Sequence, residues 1–134
     1  MKIDGRCHCG QVRFEAEVDP SVLNVCHCTD CQTLTGSAFR VTIQAAAEHF
    51  KLLSGTLTSY IKTADSGNKR RHSFCGTCGT PIHASDLENP PRYSLRIGTI
   101  AQRAAFAAPR RQIWRRSALP WVDKMADIPA ADKG

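Results

Sequence analysis

Residues 75–79 read Cys75-Gly76-Thr77-Cys78-Gly79, and this stretch decides what kind of fold the chain can build. A gap of two residues lets both sulfurs face one metal ion, while Gly76 and Gly79 permit the tight turn beneath it. Two thiolates alone rarely hold zinc. The nearest match in kind is Cys7-His8-Cys9, where alternate side chains of an extended chain share a face and present both sulfurs together. Joined, Cys7, Cys9, Cys75 and Cys78 make a closed tetrahedron that ties the amino terminus to a hairpin about 70 residues away. Such a site is a structural staple.

The other three cysteines lie in Cys26-His27-Cys28-Thr29-Asp30-Cys31, and no eighth cysteine remains to complete the set. Structural zinc is coordinatively closed, whereas catalytic zinc keeps a place for water or substrate, so Cys26, Cys28 and Cys31 suggest an open site. Three thiolates weaken the Lewis acidity of the metal and favour a soft sulfur ligand, which suits thiol activation better than water activation. His27, His72 or His83 could instead fill the gap, although His27 would point away from a metal held by both of its neighbours in an extended stretch. A redox role for the CxC or CxxC spacing is a further alternative, weakened by the absence of a βαβ pattern. His8, His49, His72 and His83 are otherwise ordinary surface or core histidines, and Asp30 is a turn former, an acceptor near the metal ligands or an acid.

Composition bounds the rest. The chain has 134 residues, 42% hydrophobic and 22% charged, which describes one globular domain with a modest core. We read 1–134 as a single zinc-binding domain with its core at 5–121 and a loose tail at 125–134. Seven cysteines cannot pair completely, and the start MKIDGRCHCG has no apolar run to serve as a leader, so a reducing, cytoplasmic setting is expected. No stretch reaches the roughly 18 apolar residues of a membrane span. The formal charge of +6 invites a nucleic-acid reading, but seven thiolates subtract seven charges and two zinc ions add four, leaving an unremarkable +3.

The pattern outside the cysteines is mostly β. Gln11 to Val18 alternates strictly, with Val12, Phe14, Ala16 and Val18 on one face. Val22 to Cys26 reads as a second extended segment, Thr29 to Leu34 as one helical turn, and Ser37 to Gln44 as a third strand. Ala45 to Leu53 fits a short helix or a loop equally well. Thr56 to Thr63, the turn 65–68 and Lys69 to Phe74 form a hairpin that feeds the last cysteine pair. Thr80 to Ala84, Tyr93 to Ile100 and Gln112 to Trp114 supply further extended segments. Ala101 to Ala108 is the best helical candidate on propensity, stopped by Pro109.

The order Gly5-x-Cys7-His8-Cys9-Gly10-x-Val12-x-Phe14, then Cys26-His27-Cys28-x-x-Cys31 with Gly36-Ser37, then Phe74-Cys75-Gly76-x-Cys78-Gly79-Thr80-Pro81 resembles the glutathione-dependent formaldehyde-activating (GFA) domain, also found in centromere protein V. The likeness extends through Gly98-Thr99 and Ile113-Trp114 to Leu119-Pro120-Trp121. It implies an Mss4-like, β-tent fold of packed antiparallel sheets with two Zn²⁺, one structural on Cys7, Cys9, Cys75 and Cys78 and one catalytic on Cys26, Cys28 and Cys31. The activity it implies is a carbon-sulfur lyase that condenses glutathione with formaldehyde to S-hydroxymethylglutathione. The chain is shorter than the best-known activating enzymes, so segments that cap their glutathione site are expected to be missing.

Two rival classes compete with catalysis. Lys69-Arg70-Arg71, Arg110-Arg111 and Arg115-Arg116 could contact nucleic acid, but few aromatics beyond Trp114 and Trp121 lie near them for stacking, and no nucleic-acid partner is expected. Alternatively both zincs staple a small binding module without catalysis, since one structural zinc contributes about 10–16 kcal/mol, as much as a whole domain's stability. The sequence leaves the oligomeric state open.

Overall fold

The computed structural model describes all residues, 1–134. In chain order the elements are β1 (Lys2–Arg6), β2 (Arg13–Glu17), β3 (Asn24–Cys26), α1 (Thr29–Thr35), β4 (Arg40–Ala46), β5 (Phe50–Ser54), β6 (Leu57–Thr63), β7 (Lys69–Cys75), β8 (Pro81–Asp86), β9 (Arg92–Arg96) and β10 (Arg111–Ile113). They form a three-stranded sheet, β1-β2-β5, and a seven-stranded sheet, β10-β3-β4-β9-β8-β7-β6. Every strand pair is antiparallel except β10 with β3, which run parallel. This is the mostly β architecture of packed antiparallel sheets that the alternation and the resemblance predict. No helix is long and apolar enough to cross a membrane.

The core lies between the sheets. Ile3, Phe14 and Ala16 come from the small sheet, and Ile43, Ala45, Ile82 and Leu95 from the large one. Phe14 is 1% exposed, and burying such a ring contributes about 1.5–3 kcal/mol. Its neighbour across the strand pair is Gly5, and a Cβ on Gly5 would stand 2.0 Å from the Phe14 Cζ atom. Glycine there is therefore a packing requirement. Cys7 and Cys75 belong to the same buried cluster, so two of the sulfurs are anchored in the core itself.

Several elements differ from the sequence expectation. The strand β1 is absent from the pattern because its inward residues are Ile3 and a glycine, which supply almost no apolar signal. The ambiguous stretch 45–53 divides into the end of β4, a 3₁₀ turn at Ala47–His49 and β5. Ala101 to Ala108 is not a helix: only Arg103–Ala105 makes a 3₁₀ turn. So short a segment nucleates poorly, and tertiary bonds take its place, with Ala101 N–H donating to Asp4 O at 2.8 Å, and the Gln102 side-chain amide accepting from Asp4 N–H and donating to the Asp4 carboxylate. Beyond β10, Val122–Asp127 forms 3₁₀ turns that its composition did not suggest.

Candidate metal centres

Cys7 and Cys9 follow β1 in a turn closed by Cys7 N–H to Val12 O (3.0 Å) and Gly10 N–H to Cys7 O (3.2 Å), with Gly10 at φ 84°. Cys75 ends β7 in a matching turn closed by Cys75 N–H to Thr80 O (2.9 Å) and Gly79 N–H to Cys75 O (2.8 Å), with Gly79 at φ 77°. The left-handed positions explain both glycines. Thr80 joins the turns, since its hydroxyl oxygen accepts from His8 N–H at 3.0 Å and lies 3.2 Å from Cys78 Sγ.

The four sulfurs lie within 4.8 Å of one another, with Cys7–Cys9 at 3.5 Å and Cys9–Cys75 at 3.8 Å. A tetrahedral zinc with bonds of about 2.3 Å demands sulfur separations near ~3.8 Å, so the cluster has the size and the donor chemistry for that ion. Val12 N–H points at Cys7 Sγ from 3.3 Å, as a donor does to a charged sulfur. Hydrogen bonding from the Thr80 hydroxyl, then from backbone N–H groups, lowers the Cys78 thiol to about 5.

The second cluster is built locally. Cys26 ends β3, and Cys28 caps α1 with extended dihedrals while its sulfur accepts from Cys31 N–H at 3.3 Å, the role that Ser or Asp usually fills. Cys31, one turn into α1, is buried, and Gly36 closes the helix at φ 63°. All three sulfurs lie within 4.8 Å of one another. Cys26 is drawn down to about 5, chiefly by the Cys31 thiol beside it, whereas the Cys31 thiol is driven far up by Cys26 and then by burial.

No histidine joins the three sulfurs, although the Nδ1 atoms of His27 and His83 are buried without a hydrogen-bond partner. His27 is fully buried with Nε2 2.7 Å from Gln112 Oε1 and its ring edge-on to Phe39. His72 Nδ1 accepts from Arg96 Nη2 at 3.2 Å, and His83 packs on Tyr93 and Phe50. His8 and His49 are exposed. Burial lowers both His72 and His83 to about 4, helped by Arg40 and Arg96 at the first and by Arg96 and Arg71 at the second. Asp30 pairs with Lys62 at 2.6 Å, which holds its carboxyl below the usual range. That pair ties α1 to β6.

The sequence reading missed the groups that surround the second cluster. Arg40 sits opposite Cys26 in the β3–β4 register, and Arg96 lies on β9 with a side chain 7% exposed. In sequence both are merely the polar partners of alternating strands, and nothing local distinguishes them. A cavity of about 220 Å³ is lined by Leu34 of α1, Tyr60, His72 and Arg96 among others. A wider concavity of about 870 Å³ runs past Cys7, His8, Arg6, Arg13 and Arg103, and Pro81 and Arg96 border both.

Two packed β-sheets carrying a four-sulfur and a three-sulfur cluster define a cysteine-rich protein whose clusters could each hold a metal ion. The chain belongs to the GFA family, the family described as glutathione-dependent formaldehyde-activating enzyme, whose profile matches residues 2–117. A Halomonas elongata protein provisionally named a glutathione-dependent formaldehyde-activating enzyme is 27% identical over 94 residues, covering 67% of this chain and 60% of that protein. The chain therefore matches little more than half the length of that relative. A crystal structure of a Rhodobacter sphaeroides protein superposes with a TM-score of 0.61 at 25% identity, covering 84% of this chain and 99% of the other.

Proposed function

We propose that the protein is a zinc-dependent carbon-sulfur lyase of the GFA type, condensing a thiol with a small aldehyde to an S-hydroxymethyl adduct. Glutathione and formaldehyde are the default pair. Cys7, Cys9, Cys75 and Cys78 would hold one Zn²⁺ as a staple, and Cys26, Cys28 and Cys31 would hold the second with one coordination place left for substrate. When bound there, zinc supplies a lowered thiol pKa, so that the substrate sulfur is a thiolate near neutral pH. The new C–S bond forms from the sulfur lone pair, the carbonyl π electrons move to oxygen, and that oxygen takes up the proton the thiol gave away.

The observation that carries this reading is the donor count of the second cluster: three sulfurs gather within 4.8 Å of one another, and no nitrogen of His27, His72 or His83 joins them at that distance. The chain's own residues hold the three thiolates in place. Cys28 is fixed by the helix N-terminus, Cys26 by the β3–β4 pairing, and Cys31 by its place on the buried face of α1. A nucleic-acid role is not favoured, because Arg70 and Arg115 are paired with Asp86 and Asp123, Arg111 with Asn24, and Arg116 lies over Trp114. Seven unpaired cysteines support a reducing, cytoplasmic setting.

Elemental analysis on protein purified without chelators should give two zincs per chain, and nuclear magnetic resonance exchange spectroscopy should show faster glutathione–formaldehyde interconversion than buffer alone. One chelation-resistant zinc with no acceleration would overturn the lyase reading in favour of a stapled binding module.

A further inference from the structure

His72 stands on β7 opposite Tyr60 of β6 and Ala84 of β8, and is 9% exposed. Residues directly opposite each other in an antiparallel pair share a face, as do alternate residues along one strand. Lys62, two positions from Tyr60, is therefore on the His72 face, and its bond to Asp30 shows that α1 overlies it. The His72 Nδ1 atom lies 3.2 Å from Arg96 Nη2. A guanidinium can only donate, so Nδ1 is the accepting nitrogen, and in a neutral ring the single proton sits on Nε2. The surroundings keep the ring neutral: burial, then Arg40, Arg96, Lys62 and Arg70, lower it to about 4. Asp30 of α1, which could offset these cations, is paired with Lys62. His72 is therefore a fixed hydrogen-bond donor at neutral pH.

That donor has an open side. Arg96 is the side-chain partner of His72, and it occupies Nδ1 alone. The Nδ1 atoms of His27 and His83 are sealed without partners, but neither nitrogen of His72 is, and His72 lines the cavity of about 220 Å³ with Tyr60, Leu34 and Arg96. The helix that carries the sulfurs walls this cavity. Leu34 follows Cys31 by three residues, a spacing that puts both on one face of α1. Arg96, which borders the cavity beside His72, lies within the field of Cys31. An N–H group with no protein partner is thus held, in one tautomer, next to the three-cysteine cluster.

We infer that His72 is a catalytic residue of the proposed reaction: its Nε2–H donates to the aldehyde oxygen and stabilises the negative charge that gathers there as the thiolate attacks. The inference rests on the lyase reading above and adds the group that activates the electrophile. The sulfur lone pair forms the C–S bond, the carbonyl π pair moves to oxygen, and that alkoxide takes a proton from water, balancing the one the thiol released. His72 keeps its own proton throughout. A neutral imidazole acts in this way as a polarising donor rather than as an acid, and such donors act most strongly where charge develops in a site shielded from water.

Two measurements on the zinc-loaded full chain test this. Long-range proton–nitrogen correlation spectroscopy at neutral pH should show His72 as the Nε2–H tautomer. Its Nε2–H signal should shift when glutathione and formaldehyde are added together, but not with glutathione alone, which brings the sulfur without the aldehyde oxygen. In exchange spectroscopy, His72→Leu should slow catalysed glutathione–formaldehyde interconversion by about 100-fold or more, the usual loss on removing one such donor, with zinc content and glutathione affinity unchanged. His72→Gln, which retains an N–H donor, should recover part of the rate. An Nδ1–H tautomer, an Nε2–H signal indifferent to the aldehyde, or a His72→Leu rate equal to that of the unaltered protein would overturn the role; so would a matching loss of glutathione affinity, which would make His72 a packing residue. The spectroscopic measurement needs no variant, so it decides the matter if His72→Leu misfolds. Exchange also separates the two proposals. Acceleration that His72→Leu preserves removes the His72 role alone, whereas no acceleration by the unaltered protein overturns the lyase reading and the His72 role with it.

Discussion

The two cysteine clusters use the same donor atom but are assembled by opposite means. Cys9 and Cys75, 3.8 Å apart at their sulfurs, are 66 residues apart in the chain, and their cluster joins the end of β1 to the end of β7. Cys26, Cys28 and Cys31 come from six consecutive residues, shaped by a strand end and a helix cap. A cross-link that closes a long loop constrains the unfolded chain far more than one that closes a short loop. On the proposed two-zinc reading, the first cluster would hold the fold together, and the second could be altered with little cost to it.

The sharpest way to break this contrast is to remove sulfurs from each side in turn. Cys75→Ser should unfold the domain at 25 °C, because a structural zinc contributes about 10–16 kcal/mol against a total stability of about 5–15 kcal/mol. The double variant Cys26→Ser with Cys28→Ser should keep its β circular dichroism and one zinc per chain, and lose any thiol–aldehyde activity. If the double variant also unfolds, the division of roles collapses.

A smaller effect is expected from the packing around the first cluster. Gly5→Ala drives a methyl group into the Phe14 ring, whose atoms would lie 2.0–2.5 Å away, two residues from Cys7. Overpacking of this kind costs about 1–3 kcal/mol, read as a lower urea midpoint. Zinc at the three-cysteine cluster should be untouched. A midpoint equal to that of the unaltered protein would show that the β1 end does not carry the stability assigned to it.

The same contrast explains what was legible in the sequence. Local geometry was: the alternation at Val12 to Val18, the hairpin before Cys75 and the short helix after Cys28 all follow from neighbours a few residues apart. The grouping of all seven cysteines was readable because spacing within each cluster restricts what the sulfurs can face. Hidden were features that depend on distant chain. A glycine against Phe14 erased the signal of β1, and bonds from Asp4 overrode the helix propensity of Ala101 to Ala108. Gln112, which holds His27 from 85 positions away, and the Arg40–Arg96 pair could be found only once the strands were in register.

Two buried histidines extend the comparison to pH. His83 packs on Phe50 of the small sheet, whereas His72 bonds Arg96 on the face beneath α1. Each is lowered from 6.5 to about 4. Above pH 6.5 neither the folded nor the unfolded form binds the proton, and the histidine contributes no pH dependence. Between 6.5 and 4 the unfolded chain is protonated and the folded one is not, so stability decreases as the pH is lowered, at a limit of about 1.4 kcal/mol per unit for each histidine. His83→Gln should flatten this slope by up to one proton, measured as the difference from the unaltered protein so that acid release of metal is common to both. Parallel curves for the two proteins would exclude His83 from the acid response.

The smallest effect is expected at the link between the second cluster and the sheet. Asp30 meets Lys62 at 2.6 Å, but its carboxylate is 56% exposed, and ion pairs so open to water contribute about 0.2–1 kcal/mol. Because Lys62 lowers the Asp30 carboxyl, the contribution is present above the unfolded pKa of 3.8 and disappears as pH falls below it. Asp30→Asn should therefore lose a few tenths of a kcal/mol in urea titrations at pH 7, with both zincs retained, because Cys28 is held by its own helix cap and Cys26 by β4. Selective loss of one zinc in this variant would mean that the ion pair, rather than local backbone, sets the three-sulfur geometry. The second cluster would then be a tertiary assembly like the first, and the contrast between them would have to be redrawn.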